Sequence, residues 1–366
     1  MRFLLSKLGR YVIGRIFVGV LIVMSAVLAA ILLIDMVEQM RTVGDRTELS
    51  LLGALRLTLL KTPMLIEQTL PFVVLAGTMV AIIGLNRSSE LVAMRAAGIS
   101  AWRFLTPAAL VGAVLGLFAI TALNPLGAHF YAQFESGRDA AMAVEGAEAG
   151  RNGVWIRQGD PDGQVVIHAD GVDSSGTVLQ GATFMFFETR NEALRFTRRI
   201  RAEQAELRPG FWQLTNLLEA TPGNRPTRQE HLAIPTTLDA TELINRFVTP
   251  ATLSFWSLPG FIHEARSAGF APTRYELKWQ SLLAYPLLLA VMAGLGAAFS
   301  LQLQRLGNLA RWGAAGVAIG LFLFFYGQLA GAFAISQTVP AAVAAWSPPL
   351  AGMFVALAMI AFMEDG

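Results

Sequence analysis

Six apolar runs, each close to the length of a lipid bilayer, constrain this chain more than any other feature. The first, Ile16 to Ile34, contains no charged residue, and the others extend from about Pro63 to Leu85, Ala101 to Asn124, Thr273 to Ser300, Trp312 to Ile335 and Trp346 to Met363. A helix needs about 20 predominantly apolar residues to cross a hydrocarbon core, so each run predicts one membrane span. Charged residues make up 15% of the chain and hydrophobic residues 54%, against about a quarter charged in a soluble domain. Several segments therefore have lipid as their solvent. Arg2, Lys7, Arg10 and Arg15 precede the first run in the manner of a signal peptide. That run exceeds the apolar core of about 7 to 15 residues that a signal peptide has, and an uncleaved first helix is expected. Pro71 lies inside the second run and should bend it, and Pro125 is expected to end the third.

From Pro125 to Pro272 charges and turn residues recur too often for any span. Strands are predicted at Val154 to Arg157, Val165 to Ala169, Val178 to Glu188, Leu194 to Ala202 and Phe211 to Thr215, with turns at Asp160 to Gly163, Ser174 to Gly176 and Pro209-Gly210. In the fourth, Leu194, Phe196, Ile200 and Ala202 share one face and Arg195, Thr197, Arg199 and Arg201 the other. Arg198 interrupts the apolar side, and Arg199 to Leu207 reads alternatively as a short helix. An antiparallel, jelly-roll-like and open-sided domain is expected. Ser257 to Ala268 reads as an amphipathic helix closed by Gly269, and Thr273 to Glu276 has the spacing of a capping box that opens the fourth span. The expected architecture is an α-helical integral membrane protein with six transmembrane helices and an inserted all-β domain, divided as residues 1–124, 125–272 and 273–366.

Between the second and third spans lies a short charged insert, Asn86 to Ser100. Ser88 or Ser89 is predicted to cap a helix whose first turn carries Glu90, and Gly98 to end it in the left-handed conformation. Leu91 and Met94 fall on one face. By itself this is a helix at the membrane interface. Arginine and lysine in the short loops set its side. With the amino terminus inside, Arg2, Lys7, Arg10, Arg15, Arg87, Arg95, Arg103, Arg305 and Arg311 become cytoplasmic, and the outer loops keep Arg41, Arg46, Arg56 and Lys61. The insert then faces the cytoplasm with both termini, and the β domain faces outward.

No catalytic constellation is visible. The chain has no Gly-Lys pair, hence no phosphate-binding loop of the common type. It has no cysteine, and His129, His168, His231 and His263 are scattered, so no metal or cofactor is expected. The net charge of +2 gives no reason to expect nucleic acid. Gly112 and Gly116, and Gly316 and Gly320, form small-x-x-x-small pairs that permit close helix approach. The central parts of the spans carry almost no charge, which disfavours an ion-coupled carrier and asks for an external energy source. Charges crowd the outer ends instead: Asp35, Glu38, Arg41, Arg46, Lys61 and Glu67, with Arg274, Glu276 and Lys278 opening span four. Such groups either snorkel and pair with each other or contact an anionic lipid, with Arg41 the candidate for a phosphate.

With these residues in hand, the sequence resembles the LptF/LptG family of lipopolysaccharide-export permeases. The resemblance is carried by Ser89-Glu90-Leu91-Val92-Ala93-Met94-Arg95-Ala96-Ala97-Gly98-Ile99-Ser100 and by Leu253 to Arg305. Ala344 to Pro348 and Glu364 to Gly366 look like its LptG branch. The resemblance implies a non-catalytic permease subunit in the bacterial inner membrane. It would pair with an LptF-type paralogue, an LptB-type ATPase dimer that holds the ATP and Mg, and an LptC-type partner, and would pass lipopolysaccharide from the outer leaflet to periplasmic β domains. It implies that Glu90, Leu91, Met94, Arg95 and Gly98 form the ATPase-coupling helix and that spans one and five gate the lipid cavity. Asp35 departs from the family, standing where a basic residue is common. The alternative is a membrane-anchored β-domain scaffold without transport activity.

Overall fold

The computed structural model describes residues 7–44, 51–100, 102–142, 154–160, 163–173, 178–190, 193–208, 210–223, 225–236, 249–267, 271–306 and 309–365. The chain divides into two compact units. One comprises Met1–Met142, Ala251–Leu258 and Thr273–Gly366, and the other Ala143–Pro250 and Pro259–Pro272.

The first unit is helical: α1 (Lys7–Gly44), α2 (Leu51–Arg87), α3 (Glu90–Ala96), α4 (Trp102–Phe118), a π-helical turn (Ala119–Leu123) and α5 (Asn124–Met142), then α7 (Thr273–Leu306), α8 (Leu309–Ile335) and α9 (Ala341–Asp365). Among the described residues six helical segments are long and apolar enough to cross a membrane, Trp102–Arg138 counting as one across the π turn. The central member is α7, which packs against α2, α4, α8 and α9. Every residue from Val291 to Leu301 is buried. This stretch is rich in glycine and alanine, and in lipid, where apolar surface gains nothing by leaving its solvent, close backbone packing is what holds helices together. A Cβ on Gly296 would stand 2.5 Å from the Leu75 carbonyl oxygen of α2, and one on Gly116 2.5 Å from Cα of Pro286. Gly112 abuts the Leu289 carbonyl still more closely. Gly316 and Gly320 face side chains instead, Met79 and Leu75 of α2. The two predicted glycine pairs therefore differ, the first being a backbone contact and the second a side-chain one.

The third span does not stop at Pro125. A proline has no N–H for the carbonyl four residues back, and here that carbonyl, Thr121, accepts the Trp256 indole N–H at 3.4 Å. The π turn sits at the same place. With its freed acceptor satisfied the helix runs on to Met142.

The second unit is built on an eight-stranded antiparallel sheet: β1 (Val154–Asp160), β2 (Gly163–Ala169), β3 (Gly171–Val172), β4 (Val178–Gln180), β5 (Thr183–Arg190), β6 (Ala193–Arg208), β7 (Phe211–Ala220) and β8 (Thr227–Pro235). A helix, α6 (Leu258–Ser267), follows in sequence. The order β1-β2-β5-β6-β4-β3 branches at β6, which carries β7 and then β8 on its other edge. The long strand β6 resolves the alternative of a helix at 199–207 in favour of sheet. Its alternation is broken by a bulge opposite Phe186/Phe187, where Thr197 is the extra residue. Phe196 is thereby exposed while Ile200 and Ala202 are buried. Arg198 lies over the Phe186 ring at 4.3 Å and pairs with Glu219 at 3.3 Å. The segment predicted as one strand from Val178 to Glu188 is two, β4 and β5. β3 and β8 lie outside the predicted strands; in β8 only Leu232 and Ile234 alternate, at the end of an otherwise polar segment. One face carries Ile156, Ile167, Phe184, Ile200, Trp212 and Leu214, all buried. Thr236, just after β8, donates to Gln158 of β1 at 2.7 Å, but β1 and β8 share no ladder among the described residues. The sheet curls without closing. The predicted turns at 161–162, 174–176 and 209 lie outside the described residues, as do Arg2, Arg46, Gly269 and the side chains of Arg305 and Arg311.

Candidate functional site

Two constellations of polar residues stand out in the helical unit, at opposite ends of α1. Arg15 belongs to one and Asp35 to the other, and their separation along the helix is about 30 Å at 1.5 Å per residue.

At the first, α3 lies directly after α2 and is held to the bundle by its apolar face. Leu91 is fully buried and Met94 is 8% exposed. Both join the core that includes Val12 and Ile16 of α1, Leu85 of α2 and Phe104 of α4. On the outer side Val92 is 55% exposed, and Ala93, Arg95 and Ala96 are exposed with it. The predicted serine cap is not made. Ser89 occupies the N-cap position with φ 60° and no side-chain bond to the helix amides. Ser88 instead donates to the Glu90 carboxylate at 2.9 Å and toward Gly84 and Leu85 carbonyls. An N-cap side chain reaches forward amides only from an extended backbone, which the left-handed Ser89 does not have. The far end is as expected: Gly98 has φ 80°, its N–H donates to Arg95, and that of Ile99 reaches Met94 at 3.2 Å. This is the glycine-terminated Schellman arrangement. Glu90 pairs with Arg15 at 3.3 Å, and Arg15 donates to the Tyr11 hydroxyl at 2.8 Å. Hydrogen bonds from Tyr11, then from Ser88, and the charge of Arg15 hold the Glu90 carboxyl below its ordinary range.

At the second constellation the crowded charges form two interhelical pairs. Asp35 of α1, 7% exposed, accepts from Lys61 of α2 at 2.6 Å and from Gln39 at 3.4 Å. Glu67 of α2, 9% exposed, accepts from Lys278 of α7 at 3.1 Å and from the Asn124 amide at 2.9 Å. The Tyr285 hydroxyl donates to the Glu67 backbone carbonyl. Asn124 turns its own side-chain oxygen to the Phe255 N–H at 2.8 Å. A continuous polar chain thus runs from α7 through α2 and Asn124, the first residue of α5, to the segment Ala251–Leu258. Of the two readings left open for the outer charges, pairing holds for Asp35, Lys61, Glu67 and Lys278, and Asp35 is explained as the partner of Lys61. Arg41 is exposed on the last turns of α1, and six residues from Asp35 it takes no part in that pair.

The Glu67 node was missed in the sequence because its partners lie 57 and 211 residues away. The only signal was the presence of opposite charges at like depth in two spans. Among the described residues no group of three or more His, Asp or Glu could hold a metal. No catalytic geometry is present in either constellation.

Six long apolar helices flanking one inserted β-sheet unit, with a short helix pinned to one end of the bundle, define a multi-pass membrane protein. Residues 10–361 match the family described as lipopolysaccharide export system permease LptF/LptG. The chain belongs to that family. It is 26% identical over 350 residues to the lipopolysaccharide export system permease protein LptG of Haemophilus influenzae, covering 94% of each chain. It is also 21% identical over 361 residues to the protein of the same name from Escherichia coli K12, covering 96% of each.

Proposed function

We propose that this chain is the LptG-type permease subunit of an ABC transporter that moves lipopolysaccharide from the outer leaflet of the inner membrane to a periplasmic bridge. An LptF-type paralogue, an LptB-type ATPase dimer and an LptC-type protein are its partners. The observation that carries the reading is the construction of α3. Its apolar face is spent on the bundle, so its exposed face, with Val92 and Arg95, remains for a cytoplasmic partner, and a push on α3 is transmitted through Leu91 and Met94 into α1, α2 and α4. In this reading Glu90 ties α3 to α1 through Arg15, and Gly98 fixes the helix end. The amino and carboxyl termini are cytoplasmic and the β-sheet unit periplasmic in this reading, which the arginine distribution supports. The outward apolar faces of α1 and α8, with Leu33, Ile34, Val37, Phe322 and Phe325 exposed, suit a pairing surface and lateral gates. Arg41, exposed beyond them, suits a lipid phosphate.

Co-purification tests this. The chain expressed with its neighbours should retain an ATPase dimer through detergent extraction, and absence of any ATPase subunit refutes the reading. Glu90→Lys replaces an attraction to Arg15 by repulsion and puts the wrong charge at a helix start. The variant should therefore lower ATPase retention, and unchanged retention refutes the role given to Glu90.

A further inference from the structure

A narrow cleft enters the helical unit between α2, α7, α8 and α9. It consists of two connected spaces of about 270 and 410 Å³ that share Pro71, Ser281, Tyr285, Leu288, Phe324 and Gln328. Along α7 its lining runs from Leu277 to Met292, about 22 Å of helix axis. The inner space is at the lower edge of the roughly 300–1,000 Å³ that small-molecule sites occupy. A space this long and this small has the width of one hydrocarbon chain. Its chemistry changes along its length. The deep end is lined by side chains such as Met292, Leu323 and Pro348, and the other end by Glu67, Gln68 and Lys278. At that polar end Lys278 is already committed to Glu67, so the mouth is neutral overall. Gln68, Ser281 and Gln328 line it and make no side-chain hydrogen bond to another described residue. All three are exposed at the same opening, near the outer ends of the spans, where their amides and hydroxyl are free to bond a ligand. Two glycines keep one wall open: a Cβ on Gly327 would meet only Pro348, at 3.7 Å, and one on Gly331 only Leu277, at 3.5 Å.

We infer that this cleft holds one acyl chain of a resident glycerophospholipid, with the chain's ester at Gln68, Ser281 and Gln328 and its methyl end toward Met292. A neutral mouth that offers hydrogen bonds matches an ester and not a bare phosphate. A cleft one chain wide excludes a lipid whose several chains must enter together. The site is therefore distinct from any passage for an exported lipid, and the inference stands apart from the transport reading.

The test uses the full chain with its co-expressed partners in nanodiscs of phosphatidylethanolamine containing a small fraction of the same lipid with a diazirine at the end of one acyl chain. After irradiation, labelled peptides are mapped by mass spectrometry. Label should concentrate at Met292 and Leu323 over the lipid-facing Phe354 and Phe362. Gly327→Leu or Gly331→Leu, which fill the cleft, should reduce cleft label about tenfold and leave Phe354 label unchanged, which reports an intact fold. Gln328→Leu, which breaks no protein hydrogen bond, should reduce it severalfold. Label equal at the cleft and at Phe354, or unchanged in Gln328→Leu and whichever glycine variant folds, overturns the inference. Displacement of the label by excess lipopolysaccharide overturns the assignment to a resident phospholipid.

Discussion

Glu67 shows how a single carboxylate organises the membrane unit. Buried ion pairs are seldom net stabilising, yet removing one partner strands the other, at about 3–5 kcal/mol. Glu67→Ala should therefore cost about 3 kcal/mol, because it also leaves the Asn124 amide without its acceptor. Adding Lys278→Met to that variant should restore most of the loss, measured as the thermal midpoint of the detergent-solubilised complex. At Glu90 the sign of the pH effect follows from its depressed pKa. Its contribution is present above the ordinary value of 4.5 and is lost as pH falls through the lower folded value. Protection of the α3 amides, taken relative to their intrinsic exchange rate at each pH, should accordingly hold from neutral pH down to 4.5 and fall only below it. Legibility differs between these two residues. Glu90 was marked by its place at the start of a short charged helix, a local signal. Glu67 depends on Lys278, 211 residues away, and no local pattern carries that.

The helices were legible from their apolar length, and their ends and contacts were not. Pro125 reads as a stop, and it would be one if Thr121 lacked an alternative donor. That donor, Trp256, arrives from beyond all eight strands in sequence. The Ser89 cap failed for a related reason, since the chain must turn sharply between α2 and α3 and takes a left-handed residue to do so. The glycine pairs are the clearest case. Both have the same spacing, and only the neighbour separates a backbone contact from a side-chain one. Gly112→Ala should cost about 1–3 kcal/mol because the Leu289 backbone cannot retreat, whereas Gly316→Ala should cost under about 1 kcal/mol because the Met79 side chain can. The thermal midpoints of the two variants check this directly.

At the scale of the molecule, the absence of native cysteine makes topology measurable without background. Single cysteines at exposed Arg10 and Gln204 should react with an impermeant maleimide from opposite sides of the membrane, Gln204 in intact cells stripped of their outer membrane and Arg10 only after lysis. Labelling at Arg10 in those cells and at Gln204 only after lysis would reverse the assigned orientation, and labelling of both from one side would overturn the span count between them. The sequence alone determined the six spans, the inserted β-rich region, the short helix after the second span and the family resemblance. These follow from local quantities: the length of an apolar run against a bilayer, the alternation of a strand, and a motif twelve residues long. Only the tertiary structure decided which charges pair, that Leu91 and Met94 face inward and Val92 and Arg95 outward, where Pro125 finds its substitute donor, and that a neutral-mouthed cleft opens beside Lys278. Each of these depends on the neighbour that packing brings from another part of the chain, and a hydrogen bond or a steric contact has no energy until both of its atoms are in place.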